Sequence, residues 1–429
     1  MSTAAATQRP PATPGTGRIV MASLVGTTIE YYDFYIYGTA AALVLGTMFF
    51  PAGAAGAQPL AAFASFGIAF LARPLGSFLF GHFGDRVGRK STLVASMLTM
   101  GLSTALIGLL PGYATAGALA PALLCLLRLG QGIGLGGEWG GAALLATEYA
   151  PPGRRAWFGM FPQLGPSLGF LLANGLFLGL LLLLDERQFA AWGWRLPFLA
   201  SALLVAVGLY VRTRLAETPA FSRLAARGER LRVPLAELLR HHGGSLALGA
   251  LAIVACYAIF YISTVFALDY GVRVAQIPRS RFLQLMCLAA VAMAATTLLS
   301  AALAGRYGCR PVLLVGLALT ALSGFALAPL LGAGDAVHAL LFLLLALGLM
   351  GLIFAPMGAL LPALFPAAVR YTGASAAYNL GGILGASLAP FAAQLLLGRG
   401  GLPWVGFYIT AAAAVSFAAV LGLRERYTQ

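Results

Sequence analysis

Apolar residues in this chain gather into long runs separated by short polar knots. Twelve runs are long enough to form helices that cross a hydrocarbon core of about 30 Å, which takes roughly 20 apolar residues each. They cover residues 19–50, 58–83, 91–110, 118–146, 156–184, 195–212, 244–270, 279–304, 311–331, 336–364, 371–398 and 402–423. The pattern predicts an all-α polytopic membrane protein of 12 transmembrane helices. The knots alternate in charge. Asp85, Arg86, Arg89 and Lys90 follow the second run, and Glu148, Arg154 and Arg155 follow the fourth. Arg306 and Arg310 follow the eighth and Arg370 the tenth, whereas the first and third knots carry no Lys or Arg. Basic loops stay in the cytoplasm, so both termini are expected there.

Residues 213–243 form the single long charged stretch and separate two six-helix bundles, 19–212 and 244–423. The polar, Pro-rich segment 1–18 is expected to be a disordered cytoplasmic terminus, and 424–429 a short cytoplasmic tail. An internal repeat supports two pseudo-symmetric halves. GHFGDRVGRK (Gly81 to Lys90) recurs as ALAGRYGCRP, with Arg86, Gly88 and Lys90 matched by Arg306, Gly308 and Arg310. Pro151 and Arg155 are echoed by Pro366 and Arg370. Two similar halves joined by a linker is a transporter architecture, with its site between the halves.

Composition sharpens this picture. Of 429 residues 60% are hydrophobic and 9% charged, against about 25% charged in soluble domains. Mean hydropathy is +0.88. The net charge of +14 would suit nucleic acid, but the basic residues, all Arg except Lys90, sit in short alternating loops, which excludes it. The four cysteines (Cys125, Cys256, Cys287, Cys309) are far apart, and only four histidines exist. Neither a metal site, a cofactor nor an enzyme's nucleophile–base set is expected. The Arg bias and the wealth of Ala and Gly point to a GC-rich bacterium and its inner (plasma) membrane.

Ionisable groups inside the membrane mark function, because each is costly there. Glu30 and Asp33 are three apart on the first run and are expected to face one direction as proton-exchanging carboxylates. On the fourth run Arg128, Gln131 and Glu138 share a side, and Arg128 suits either a carboxylate of the first run or an anionic substrate. Arg73, before Pro74, reads equally as a cation snorkelling to the interface. Seven glycines between Gly130 and Gly141 predict close helix packing. Tyr37, Tyr257, Tyr261, Gln284, Tyr378 and Asn379 supply neutral polar groups for a small hydroxylated or carboxylated ligand. Gly81, Asp85, Gly88 and Arg89 form a charge clamp at a helix end.

GHFGDRVGRK resembles the loop signature of the major facilitator superfamily. IEYYDFYIYGTAAALV, FLARPLGSFLFGHFGDRVGRK, RLGQGIGLGGEWGGA, GWRLPF, ETPAF and FPAAVRYTGASAAYNLGG resemble, in order, its metabolite:proton symporters. The resemblance implies a proton-coupled importer of shikimate-like or mono- and dicarboxylate acids. Its partners would be protons, the substrate and membrane lipid, and it would work as a monomer. Two other readings stay open: a zwitterion symporter, and a proton antiporter exporting drugs or metabolites, suggested by Gly165-Pro166. The resemblance makes Asp33 the proton carrier and Arg128 its partner. It makes Asp85, Arg86 and Arg89, with their copies Arg306 and Arg310, the gating clamp. Gly305 replaces the acid of the second clamp, and Ala363 replaces a glutamate expected beside Arg370.

Overall fold

A computed structural model describes residues 16–51, 57–213, 226 and 234–423. Most of segment 1–18, the ETPAF motif and residues 424–429 lie outside the described residues.

Among the described residues twelve long helices run in order. α1 (Thr16–Ala40) continues through a π-helical turn, Ala41–Leu45, to Gly46–Phe49. Then come α2 (Ala57–Arg86), α3 (Arg89–Ile107), α4 (Leu119–Glu148), α5 (Arg155–Leu183) and α6 (Arg195–Thr213). The second set is α7 (Gly243–Arg273), α8 (Arg279–Tyr307), α9 (Cys309–Leu331), α10 (Ala336–Ala363), α11 (Ala367–Gly400) and α12 (Leu402–Gly422). By length and composition, the ten from α3 to α12 can cross a membrane. Glu30 and Asp33 lie on α1, and Arg73 and Asp85 on α2. Within the linker, Pro234–His241 is a short helix.

The pairing of helices repeats with a shift of six. α1 packs on α5 as α7 does on α11, α2 on α4 as α8 on α10, and α3 on α6 as α9 on α12. The halves meet along α2–α11 and α5–α8. Glycines let α2 and α4 touch backbone to backbone: a Cβ on Gly136 would stand 2.0 Å from the Arg73 carbonyl oxygen, and one on Gly76 2.0 Å from that of Ile133. The repeated loop has a shared backbone cause. Gly88 has φ +144° and Gly308 φ +87°, where a side chain would be strained. Leucines such as Leu71, Leu126, Leu203 and Leu322 cover the outside, as a lipid-facing surface requires.

Candidate functional site

A cavity of about 430 Å³ lies between the halves. Its walls include Thr39 and Thr47 of α1, Asn174 of α5, Thr264, Asp269 and Arg273 of α7, and Arg279 of α8. It reaches the end of the bundle opposite the chain termini. Asp269 pairs with Arg273 at 2.5 Å and accepts from Gln394 at 2.8 Å near its mouth. Its floor is aromatic: Phe34, Tyr35, Phe170, Phe260 and Tyr261. Tyr35 of one half meets Phe260 of the other with ring centroids 5.7 Å apart.

Beneath that floor the buried charges begin. Arg73 is 3% exposed, with its guanidinium 4.5 Å from the Phe34 ring and 4.3 Å from the Phe70 ring. No ion pair reaches it among the described residues, and its Nε and one terminal nitrogen lack hydrogen-bond partners. Tyr31, Tyr257, Tyr261 and Tyr378 surround it. Tyr31 and Tyr378 join hydroxyls across the halves, and Tyr378 stacks on Trp139 at 4.0 Å. Glu30 is within electrostatic reach of Glu138, Arg73 and Arg212. Glu138 and Arg212 form a fully buried ion pair, steadied by Ser96 Oγ donating to Glu138 at 2.9 Å. The first half thus holds a cluster of buried ionisable groups.

Glu30 and Asp33 do not share surroundings, contrary to the expectation from their spacing. Asp33 lies beside the hydroxyls of Ser201 and Thr104, and its carboxylate oxygens make no hydrogen bond of normal geometry. α1 is central, so a 60° difference in direction sends the two carboxylates to different neighbours. Nor is Arg128 paired with Asp33 among the described residues. Its guanidinium donates to Gln131 Oε1 and to the Ser65 carbonyl and lies 3.7 Å from the Tyr37 ring. Gln131 donates in turn to the Asp33 carbonyl and to Thr104, both at 2.9 Å.

Of the expected ligand-binding residues, only Tyr261 lines the cavity. Tyr257 and Tyr378 belong to the layer below it. Asn379 instead ties α11 to α4, donating to the Gly136 carbonyl at 3.0 Å. Tyr37 bonds Ser65 Oγ at 2.5 Å inside the first half. Gln284 is exposed and held by Arg281 at 3.4 Å. It continues the outward stripe of Leu288, Val291 and Leu298, a helical spacing that could have placed it on the outside.

The face that carries the termini is shut. Asp85 accepts from Tyr371 N (3.2 Å), Thr372 N (2.9 Å) and Thr372 Oγ1 (2.8 Å). The first half thereby caps the start of α11 in the second. Arg89 pairs with Glu148 and donates to the Ala367 carbonyl at 3.2 Å. Glu148 also faces Arg370 at 3.6 Å, so Arg370 does have a carboxylate neighbour, from the opposite half. Deeper, Tyr371 Oη donates to the Gly137 carbonyl at 2.6 Å and Gln163 to the Phe354 carbonyl at 2.7 Å. A Cβ on Gly81 would stand 2.7 Å from Thr372 Cα, so Gly81 too belongs to this contact. Arg86 and Arg306 are exposed, and Arg310 donates to the Leu421 carbonyl within its own half. Among the described residues no ion pair joins Arg306 or Arg310 to the first half, which fits Gly305 in place of an acid. Sequence reasoning missed Tyr31, Trp139, Gln163, Arg212, Tyr371 and Thr372, whose roles depend on partners distant in the chain.

The Sugar (and other) transporter family matches residues 19–242, and the Major Facilitator Superfamily matches residues 277–429. The chain belongs to the major facilitator superfamily. It is similar to the inner membrane metabolite transport protein YhjE of Escherichia coli (strain K12), 51% identical over 95% of this chain and 94% of that one. The shikimate transporter of the same organism is 37% identical over 95% and 94%. A glycine betaine/proline/ectoine/pipecolic acid transporter, OusA, of Dickeya dadantii (strain 3937) is 30% identical over 95% and 83%. The solved proton:xylose symporter XylE shares the fold, with a TM-score of 0.78 and 17% identity over 95% and 94%. This major facilitator protein is accordingly a membrane transporter of the metabolite-carrying kind and not an enzyme.

Proposed function

We propose that this chain is a proton-coupled symporter that imports a small polar organic acid by alternating access. One observation carries the reading. The cavity between the halves is open at one end and closed at the other by the Asp85 cap, with buried unpaired carboxylates beside and below it. The basic loops lie on the terminus-bearing face, which supports a cytoplasmic side for that face and an outward opening for the cavity.

Mechanism follows from the order of the groups. Substrate enters the vestibule lined by Thr39, Asn174 and Thr264 and passes the Tyr35–Phe260 contact. Glu30 takes up a proton at the floor, which removes the negative charge that would repel the acid from Arg73. The Asp85 cap and the Tyr371 and Gln163 bonds then open, and Tyr35 and Phe260 seal the outside. Glu30 next passes its proton toward the Glu138–Arg212 pair and the cytoplasm. Asp33 is the second proton site; Arg128, held by Gln131 and Tyr37, fixes its surroundings. A monoanion and one proton cross with no net charge, so the pH gradient alone drives uptake, about tenfold accumulation per pH unit, each tenfold being about 1.4 kcal/mol. The chain works as a monomer in lipid. The relatives that carry shikimate and betaine leave the choice of acid or zwitterion to the site, and Arg73 favours the acid.

A direct test is substrate-induced alkalinisation. Adding shikimate or another accepted acid to weakly buffered, de-energised vesicles carrying the protein should raise the external pH. An acid that enters without moving protons would sink the coupling.

A further inference from the structure

We propose that Arg73 is the receptor for the carboxylate of the transported substrate, and that this substrate is a monocarboxylate. The inference deepens the transport reading and rests on it for the route of entry.

Three polar groups with open hydrogen-bonding capacity converge below the cavity floor: Arg73 Nε and a terminal nitrogen, Tyr257 Oη, and Glu30 Oε2. Arg73, Tyr257 and Glu30 are 3%, 7% and 1% exposed, so water does not serve them freely. Native proteins rarely leave such groups unpaired, and here they meet between two halves that move. The rings of Phe34 and Phe70 against Arg73 offer no acceptor, and although Tyr261 bonds the guanidinium, its Nε and one terminal nitrogen stay open. A planar fork of N–H donors matches a carboxylate bidentately. Both halves contribute: Arg73 and Tyr31 come from the first, Tyr257, Tyr261 and Tyr378 from the second. A ligand bridging Arg73 and Tyr257 would touch both.

The charge count sets the class. The neighbouring buried cation, Arg128, is engaged by Gln131, the Ser65 carbonyl and the Tyr37 ring. One open guanidinium beside one carboxylic acid, Glu30, takes one negative charge once Glu30 is protonated. The remaining walls are tyrosine rings and Trp139, which suit a compact body with a flat or apolar face and a hydroxyl for Tyr257.

The test is thermal stabilisation of the purified full-length protein by paired probes. Shikimate, benzoate and lactate would each be tried beside their methyl esters, with succinate, proline and betaine alongside. At least one monocarboxylate should stabilise the wild type while its ester does not. Arg73→Gln should weaken that binding at least tenfold. Arg73→Lys should keep the preference for acid over ester at about tenfold lower affinity, and it decides the matter should the glutamine variant fail to fold. Wild-type affinity in either variant overturns the proposal. So does stabilisation confined to esters, succinate or zwitterions, and so does a panel in which no monocarboxylate binds. Arg73-dependent binding without proton-driven accumulation would remove the coupling and leave this receptor standing. Proton-driven accumulation by a fully active Arg73→Gln would do the reverse.

Discussion

Removing the Asp85 carboxylate should shift the protein from the state closed on the terminus face toward the state open there. In the closed state the carboxylate accepts two backbone N–H groups and one hydroxyl from the start of α11. Helix N-caps lose about 0.5–2 kcal/mol on truncation, and hydrogen bonds to a charged group contribute about 1.5–3 kcal/mol. When the halves part, water solvates both sides, so the difference belongs to one state alone. Arg89 keeps Glu148 in either case, so no second charge is orphaned. Taking roughly 2 kcal/mol for the cap, Asp85→Ala should move the equilibrium about 30-fold. Single cysteines report it in a background where the four native cysteines are serine. Val265→Cys lines the cavity, and Ala359→Cys sits against Gly159 at the closed end. In Asp85→Ala the maleimide reaction should slow at the first and quicken at the second, with Asp85→Asn in between because its amide oxygen still accepts. Unchanged rates at both positions would refute the idea that this cap holds one state.

Other outcomes follow from packing and charge. Gly136→Ala places a methyl 2.0 Å from the Arg73 carbonyl, so α2 and α4 must separate. Overpacking of about 1–3 kcal/mol should lower the melting temperature and abolish transport. Glu138→Gln leaves Arg212 buried without its partner, a loss of about 3–5 kcal/mol. The double change with Arg212→Gln should recover part of it, and additive losses would show that the pair is not coupled. Asp335 caps α10, and the N–H of His338, the His338 ring and the Val337 N–H hold its carboxyl below the usual carboxylate range. A depressed folded value means that its stabilisation is complete above about pH 4 and fades as pH falls through that lower value. Protection of the amides in the first turn of α10, relative to their intrinsic exchange at each pH, should therefore fall in acid, and Asp335→Ala should remove that fall.

Most of the architecture is legible in the sequence, because a membrane span needs one continuous apolar run and basic knots mark one face. The helix ends lie within a few residues of the run boundaries, and Gly88 and Gly308 repeat a backbone conformation that only glycine adopts readily. The site is less legible, for a physical reason. Spacing tells which residues share a face of one helix; how that helix is turned in the bundle depends on partners far away. Glu30 and Asp33 show the limit, since α1 has neighbours on every side and each carboxylate finds its own. Arg73 shows the opposite case. Next to Pro74 it reads as a snorkelling cation, yet α2 turns it inward under the cavity. Gln284 was within reach, because Leu288, Val291 and Leu298 follow it along an apolar stripe.

The most direct measurement is accumulation of a radiolabelled monocarboxylate, shikimate first, in proteoliposomes. An inward pH gradient would be imposed, with the membrane potential set separately by potassium and valinomycin. The account predicts uphill uptake that follows the pH gradient, responds little to potential, and is lost in Glu30→Gln. Uptake indifferent to the pH gradient, or efflux of preloaded acid when the gradient is imposed, would contradict it.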